Sequence, residues 1–245
     1  MHPTATRSLA IELLESGIPR HEVCKRLGVG YVTTYRWWPS QSPPHSVQCF
    51  RCLDTPPHDS YGYLLGQYLG DGCLSQLPRT TSLRISCCDA YPAIRAEVER
   101  AMRDVAGVSV FATAAQGCTH VGSATKHWLC MLPHSGPGKK HTRSISLAEW
   151  QREIVCENPR GLIRGLMHSD GYRGMNTVQR PLSRGTRAYS YPRYLFTNES
   201  SDIRTILTNA LDQLGIAWRQ NRHNSISIAR REAVAALDEF VGPKA

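Results

Sequence analysis

The sequence predicts an α+β protein in which one structural unit occurs twice, preceded by a small all-α module. Three observations carry this. Two nine-residue stretches, Leu64–Gly72 and Ile163–Gly171, align without a gap, 99 residues apart. Each heads the same order of text: helix, strands, helix, strands, helix. Ahead of the first copy lies a proline-rich stretch, and ahead of that a short run of helical text.

In chain order, residues 1–38 are expected to form the small module. Leu9, Ala10, Leu13 and Leu14 share one helical face that ends at Gly17. Pro19 opens a second helix, with Val23 and Leu27 inward and Gly28 as its stop. A third helix follows to Trp38. The stretch from Gly17 to Trp38 resembles the helix-turn-helix of transposase and resolvase DNA-binding domains. That resemblance makes Thr33, Thr34 and Arg36 the candidate base readers and puts Cys24 at a small buried position. Units of this kind also dock proteins. Residues 39–59 form a linker with five prolines. Inside it, Cys49 and Cys52 form a Cys-x-x-Cys knuckle, either half of a Zn²⁺ site or a pair of unliganded thiols.

Residues 60–158 form the first copy. A helix over Tyr61–Gly72 leads into strand text to Cys88, a helix at Pro92–Val105, two strands within Val108–Leu132 and a helix at Leu147–Cys156. Residues 159–245 form the second. Its parts are a helix over Arg160–Gly171, strand text to Phe196, a helix at Ser201–Leu214, strands at Ile216–Ile228 and a helix at Arg231–Val241.

Composition narrows the function classes. With 41% hydrophobic and 20% charged residues, the chain can bury a core. It has no run of 18 apolar residues and no apolar segment at its start, so neither a membrane span nor a secretory signal is expected. Nine cysteines without an export signal point to a reducing compartment, the cytoplasm, with nucleoid association in a bacterium. The net charge is +9, and residues 158–245 hold 13 basic against 7 acidic side chains. Val105–Ala148 and Gly171–Asn198 contain no carboxylate. The first holds Lys126, Lys139, Lys140 and Arg143. The second interleaves Arg173, Arg180, Arg184, Arg187 and Arg193 with four tyrosines. A surface that meets phosphate avoids carboxylates because each repels the polyanion, so double-stranded DNA is the expected partner. These arginines, Arg84 in the first copy, and Lys139 and Lys140 in a Gly-Pro-Gly loop are the candidate DNA contacts.

The chemistry is expected at the heads of the two copies. Gly66 and Gly70 in one, and Gly165 and Ser169 in the other, stand four apart and therefore on one helical face. Without bulk there, two helices can approach nearly backbone to backbone. Asp71 and Asp170 close the two helices, so packing the helices brings the carboxylates together. Two carboxylates at helix C-termini repel each other and the helix dipoles. A shared divalent cation relieves that repulsion, and oxygen-only ligation suits Mg²⁺.

On these residues, Tyr61–Ala245 resembles the single-chain, two-motif LAGLIDADG homing endonucleases. The resemblance implies two pseudo-symmetric αββαββα halves whose motif helices form the interface, with saddle-shaped antiparallel sheets lying on DNA. It implies that Asp71 and Asp170 bind metal, helped by the backbone carbonyls of Gly70 and Ser169. Basic residues around the family's centre assist catalysis. Lys126 and Arg230, at strand ends of the two halves, are the nominees, with phosphate contact as the other reading. Arg164 and His168 stand where the family has apolar or small residues, so that helix is expected to turn a face to solvent or DNA. The implied activity is metal-dependent hydrolysis of both strands of a long asymmetric duplex by a monomer that mimics a dimer. The competing reading is a non-cleaving transcriptional regulator on the same fold. The presence of both acids favours the enzyme.

Overall fold

The computed structural model describes residues 3–30, 33–34, 37, 56–136, 138–182, 185–242 and 244, without the side chains of 180 and 182. The chain forms two compact units, Met1–Cys49 and Phe50–Ala245.

In the first unit, α1 (Thr4–Glu15) and α2 (Arg20–Leu27) pack through buried Ala10, Leu14 and Val23, with Leu13, Ile18, Leu27 and Trp37 against them. Gly28 ends α2 in the left-handed region (φ 62°), where its N–H reaches the Cys24 carbonyl. Thr33 and Thr34 are helical; Arg36, which the sequence nominates beside them, lies outside the described residues. Thr34 corrects an expectation. Its side chain is buried, with Oγ1 3.4 Å from Cys24 Sγ, so it belongs to the module's interior and not to a base-reading surface. Cys49 and Cys52 also lie outside the described residues.

The second unit repeats one element order. The first half runs α3 (His58–Asp71), β1 (Gly72–Gln76), β2 (Thr81–Cys88), α4 (Pro92–Ala106), β3 (Phe111–Ala115), β4 (Cys118–Ala124), a single-turn α5 (Trp128–Met131) and α6 (Glu149–Glu157). The second runs α7 (Pro159–Ser169), β5 (Gly171–Leu182), β6 (Gly185–Thr197), α8 (Ser201–Gln213), β7 (Arg219–Arg222), β8 (Ser225–Ile228) and α9 (Arg231–Asp238). The sheets are ordered β1-β2-β4-β3 and β5-β6-β8-β7, antiparallel throughout. The same strand order in both halves is the duplication made visible.

Alternation decides which face of each sheet is covered. Along β2, Leu83, Ile85 and Cys87 are buried, while Arg84 and Cys88 are exposed. Along β6, Tyr194 and Phe196 are buried. The buried faces join the helices in one core that runs through both halves. One element departs from the sequence reading. Strand text was expected as far as Leu132, but the chain turns into α5, because Trp128 is fully buried and bonds Ser123 Oγ at 3.0 Å. Tyr61 then donates its hydroxyl to the Met131 carbonyl at 2.7 Å, fixing this turn to α3.

The centre of the unit is the seam between α3 and α7. Every residue of α3 from Tyr61 to Leu69 is buried, which marks a helix packed on all sides. A Cβ added to Gly66 would stand 2.6 Å from the Leu162 carbonyl oxygen and 2.7 Å from the Leu166 nitrogen. A Cβ on Gly165 would run into the Tyr63 carbonyl and lie 3.0 Å from the Gly66 Cα. At the start of the seam Gly62 is looser, with 3.3 Å to the Leu162 nitrogen. The obstructing atoms are backbone, so the helices themselves must separate to admit a side chain.

A graded series tests this seam. Gly165→Ala and Gly66→Ala should each cost about 1–3 kcal/mol or more through overpacking, and Gly62→Ala clearly less. Urea midpoints measure it. Equal midpoints for Gly62→Ala and Gly165→Ala would refute a backbone-to-backbone seam.

Candidate functional site

The seam ends at its acids. Asp71 is the last residue of α3 and Asp170 caps α7. A Cβ on Gly70 would lie 3.1 Å from Asp170 Oδ2, which places the second carboxylate directly against the last turn of the first helix. Asp71 is exposed as a whole residue, but its carboxyl end is crowded. Loss of solvation, and then the charge of Asp170, pushes it up to about 6, against the pull of Lys140 and Lys244. Burial likewise raises Asp170, whose Oδ2 accepts from Asn198 Nδ2 at 2.7 Å.

Two lysines complete the site. Lys140 Nζ donates to the Gly70 carbonyl at 2.9 Å and also to the Tyr68 carbonyl, and stands 4.9 Å over the Tyr68 ring. Lys244 Nζ donates to the Ser169 carbonyl at 3.0 Å. Each half therefore presents one Asp, with one ammonium on the carbonyl just before it. Burial pushes Lys140 down to about 8 and Lys244 below its usual range, while the carboxylates oppose the shift. Beside Lys140, His134 stacks on Tyr68 at 5.4 Å. Burial first, then Arg143 and Lys140, push His134 down to about 4, so it is neutral near pH 7. A cavity of about 450 Å³ opens here, lined among others by Gly70, Cys73, Lys140, Arg143, Asp170 and Asn198.

The sequence placed the lysines differently. Lys140 was expected to contact DNA from a loop, but it reaches into the centre. Lys139 beside it is exposed at the cavity rim. Lys244 was not anticipated. A signal existed, since Gly136-Pro137 and Gly242-Pro243 each precede a lysine. The nominees Lys126 and Arg230 are not brought to the acids. Gly72 pairs with Ile85, and Ile85 with Val121, so Lys126 lies five residues farther along, at the Gln76 end of the sheet. Gly171 pairs with Phe196, and Phe196 with Ile226, so Arg230 is displaced in the same way. Both are exposed.

The candidate DNA contacts divide by face. Tyr172, Val178, Arg187, Tyr189, Tyr191 and Arg193 alternate onto the open face of the long β5–β6 hairpin, with Arg187 5.4 Å over the Tyr189 ring. Arg84 is exposed on the open face of the first sheet. Arg180 pairs in register with Arg187, and Arg184 lies outside the described residues. Arg173 corrects an expectation. Its guanidinium grips Asp238 through Nε and Nη2, both at 2.7 Å, and Tyr194 donates to the same carboxylate at 2.6 Å. It ties β5 to α9 on the covered side.

The donor set at the acid pair is oxygen only: two carboxylates and the Gly70 and Ser169 carbonyls. Each carbonyl accepts from a lysine and keeps a second lone pair. Among the described residues no group of three or more His, Cys, Asp or Glu side chains gathers to hold a metal. A cation seated on the pair would take its remaining ligands from water or phosphate, as Mg²⁺ does.

The mutual repulsion is measurable without any divalent ion. The folded Asp71 carboxyl keeps its proton to about pH 6, whereas an unfolded one releases it near 3.8. Folding therefore binds a proton in that window, and this contribution to stability is lost as pH rises from about 4 to 6. Asp170→Asn should lower the Asp71 midpoint in a carboxyl-carbon NMR titration and flatten the fall in stability. An unmoved midpoint would show that the two charges do not interact.

No family model and no curated protein matches this sequence. Among solved structures, the chain is similar to a LAGLIDADG meganuclease, I-AabMI, bound to uncleaved DNA, at 10% identity, covering 74% of this chain and 82% of that one, with a TM-score of 0.48. It is similar to the homing endonuclease I-WcaI bound to its DNA recognition sequence, at 14% identity over 83% and 91% of the two chains, with a TM-score of 0.47. It is also similar to the N-terminal LAGLIDADG domain of DUF199/WhiA, at 11% identity over 79% and 89%, with a TM-score of 0.44.

Proposed function

We propose that the chain is a metal-dependent DNA endonuclease that hydrolyses one phosphodiester in each strand of a long asymmetric duplex, acting as a monomer. What carries this reading is the pair of Asp–Lys centres at the end of the seam, one from each half. Asp71 and Asp170 would share divalent cations, Mg²⁺ by preference, with the Gly70 and Ser169 carbonyls assisting. Bound there, the cation supplies an activated water and neutralises the leaving oxygen.

The rest of the chemistry belongs to the chain. Lys140 and Lys244 bring positive charge beside the acids, where charge develops on a phosphoryl oxygen during hydrolysis. Partial desolvation holds Lys140 near 8, so it can also exchange a proton close to neutral pH. The open faces supply phosphate contacts through Arg84, Arg187 and Arg193 and stacking surface through Tyr172 and Tyr189. The first unit would add contacts on one flank of the target, through Thr33 and Arg36.

Cleavage selection on a randomised duplex library with Mg²⁺ tests the reading and yields the target. On that target, Asp71→Asn and Asp170→Asn should each abolish double-strand cleavage while binding is kept or tightened, because a charge that repels phosphate is removed. Normal cutting by both variants would sink the assignment. Tight binding by a wild type that cuts no selected duplex would establish the non-cleaving regulator instead.

Footprints of the full chain and of residues 56–245 on that duplex, at two salt concentrations, separate the two units. The shorter protein should keep the steep salt dependence and lose protection on one flank only. Identical footprints would show that the first unit does not touch DNA.

A further inference from the structure

The two motif helices differ where they should match. Arg164 takes the position of Leu65, and His168 that of Leu69. The sequence suggested a face turned to solvent or DNA; both side chains instead find partners within the protein. His168 is 5% exposed, and Arg164 is partly buried. Both turn to the C-terminal segment. Arg164 forks onto Glu97, with Nε–Oε1 at 2.7 Å and Nη2–Oε2 at 2.8 Å. Its remaining Nη1 donates to the carbonyls of Phe240, at 2.6 Å, and Val241. His168 Nε2 lies 2.8 Å from the same Val241 carbonyl. A carbonyl can only accept, so the proton is assigned to Nε2. His168 Nδ1 then accepts from the Tyr63 hydroxyl at 3.2 Å, and that hydroxyl accepts from Gln67 Nε2 at 3.0 Å.

Just past these carbonyls the chain turns at Gly242, in the left-handed region at φ 70°. A Cβ there would lie 3.5 Å from Arg164 Nη1. Two residues later Lys244 reaches the Ser169 carbonyl. The first half solves the same problem with its own loop. There Arg143 donates to the Gly136 and Gly138 carbonyls just ahead of Lys140. In both halves an arginine holds backbone carbonyls of the glycine-containing segment that delivers the lysine. The loop supplies its own clamp, whereas the tail borrows one from the motif helix.

We propose that Arg164 and His168 are positioning residues that anchor the C-terminal segment so that Lys244 stands beside Asp170. This rests on the endonuclease reading for its catalytic consequence, but not for the anchoring itself.

Three proteins test it: Lys244→Met, His168→Leu and the double variant Glu97→Leu with Arg164→Leu. The double variant removes both ion-pair partners together and so avoids stranding a buried charge. Amide hydrogen exchange of the 239–245 peptide reads the anchor directly. His168→Leu and the double variant should speed its exchange by about tenfold or more while peptides of α3 stay unchanged. Strand-resolved nicking of the selected duplex reads the consequence. All three variants should slow one and the same strand, by on the order of a hundredfold, and spare the other. A destabilised fold would instead slow both strands alike.

Unchanged tail exchange overturns the proposal, as does equal slowing of both strands by the anchor variants when Lys244→Met slows only one. Lys244→Met cutting both strands normally would remove Lys244 from the endonuclease reading, with the exchange result still deciding whether the anchor exists.

Discussion

The contact between α3 and α7 is the constraint on which the rest of this structure depends. Along Gly62 and Gly66 of α3 and Gly161 and Gly165 of α7 the helices meet without intervening side chains, and at Gly70 only the small Ser169 side chain stands between them, so their backbones define the distance between the halves. Close approach gives dispersion contact along the whole seam and leaves no room for adjustment. Both helices then end at one place, and both chains leave directly into a sheet strand at Gly72 and Gly171. The seam thus sets the separation of the acids, and the sheets inherit their placement from it.

That geometry creates an electrostatic problem at the helix ends. Two carboxylates lie where two helix dipoles are already negative. The structure offsets this in the same way in each half, with an ammonium on the preceding carbonyl and, for Asp170, an amide from Asn198. The offset is partial: Asp71 stays raised and Lys140 stays lowered, because burial opposes charge on both. Under the proposed reading, a cation or an incoming phosphate would relieve the imbalance that remains.

The halves share strand order and site plan but not their supports. The first half packs Leu65 and Leu69 into the apolar core, whereas the second places Arg164 and His168 at those positions. The sheets diverge too. Strands β5 and β6 run 12 and 13 residues against 5 and 8 for β1 and β2. The extra length carries Arg187 and Tyr189 on its open face, so the second half has the larger open surface.

What the sequence determined by itself was whatever local pattern encodes. Small residues four apart announced the seam, terminal Asp residues announced the acid pair, and the repeated order of helical and strand text announced two sheets. These features are set by periodicity within a dozen residues, which packing need not alter. Tertiary structure decided everything that depends on reach. Lys140 arrives from a loop and Lys244 from the segment after α9, both far along the chain from the acids they meet, whereas the nominees Lys126 and Arg230 are carried away by strand register. Thr34 reads as a base reader through the helix-turn-helix resemblance and Arg173 as a phosphate contact through its carboxylate-free stretch, yet each has a partner within the protein. Arg164 and His168 read as misplaced on an apolar helix until the C-terminal carbonyls supplied acceptors. A buried polar side chain is stable only where its partner stands, and that partner is fixed by the fold and not by the neighbouring sequence.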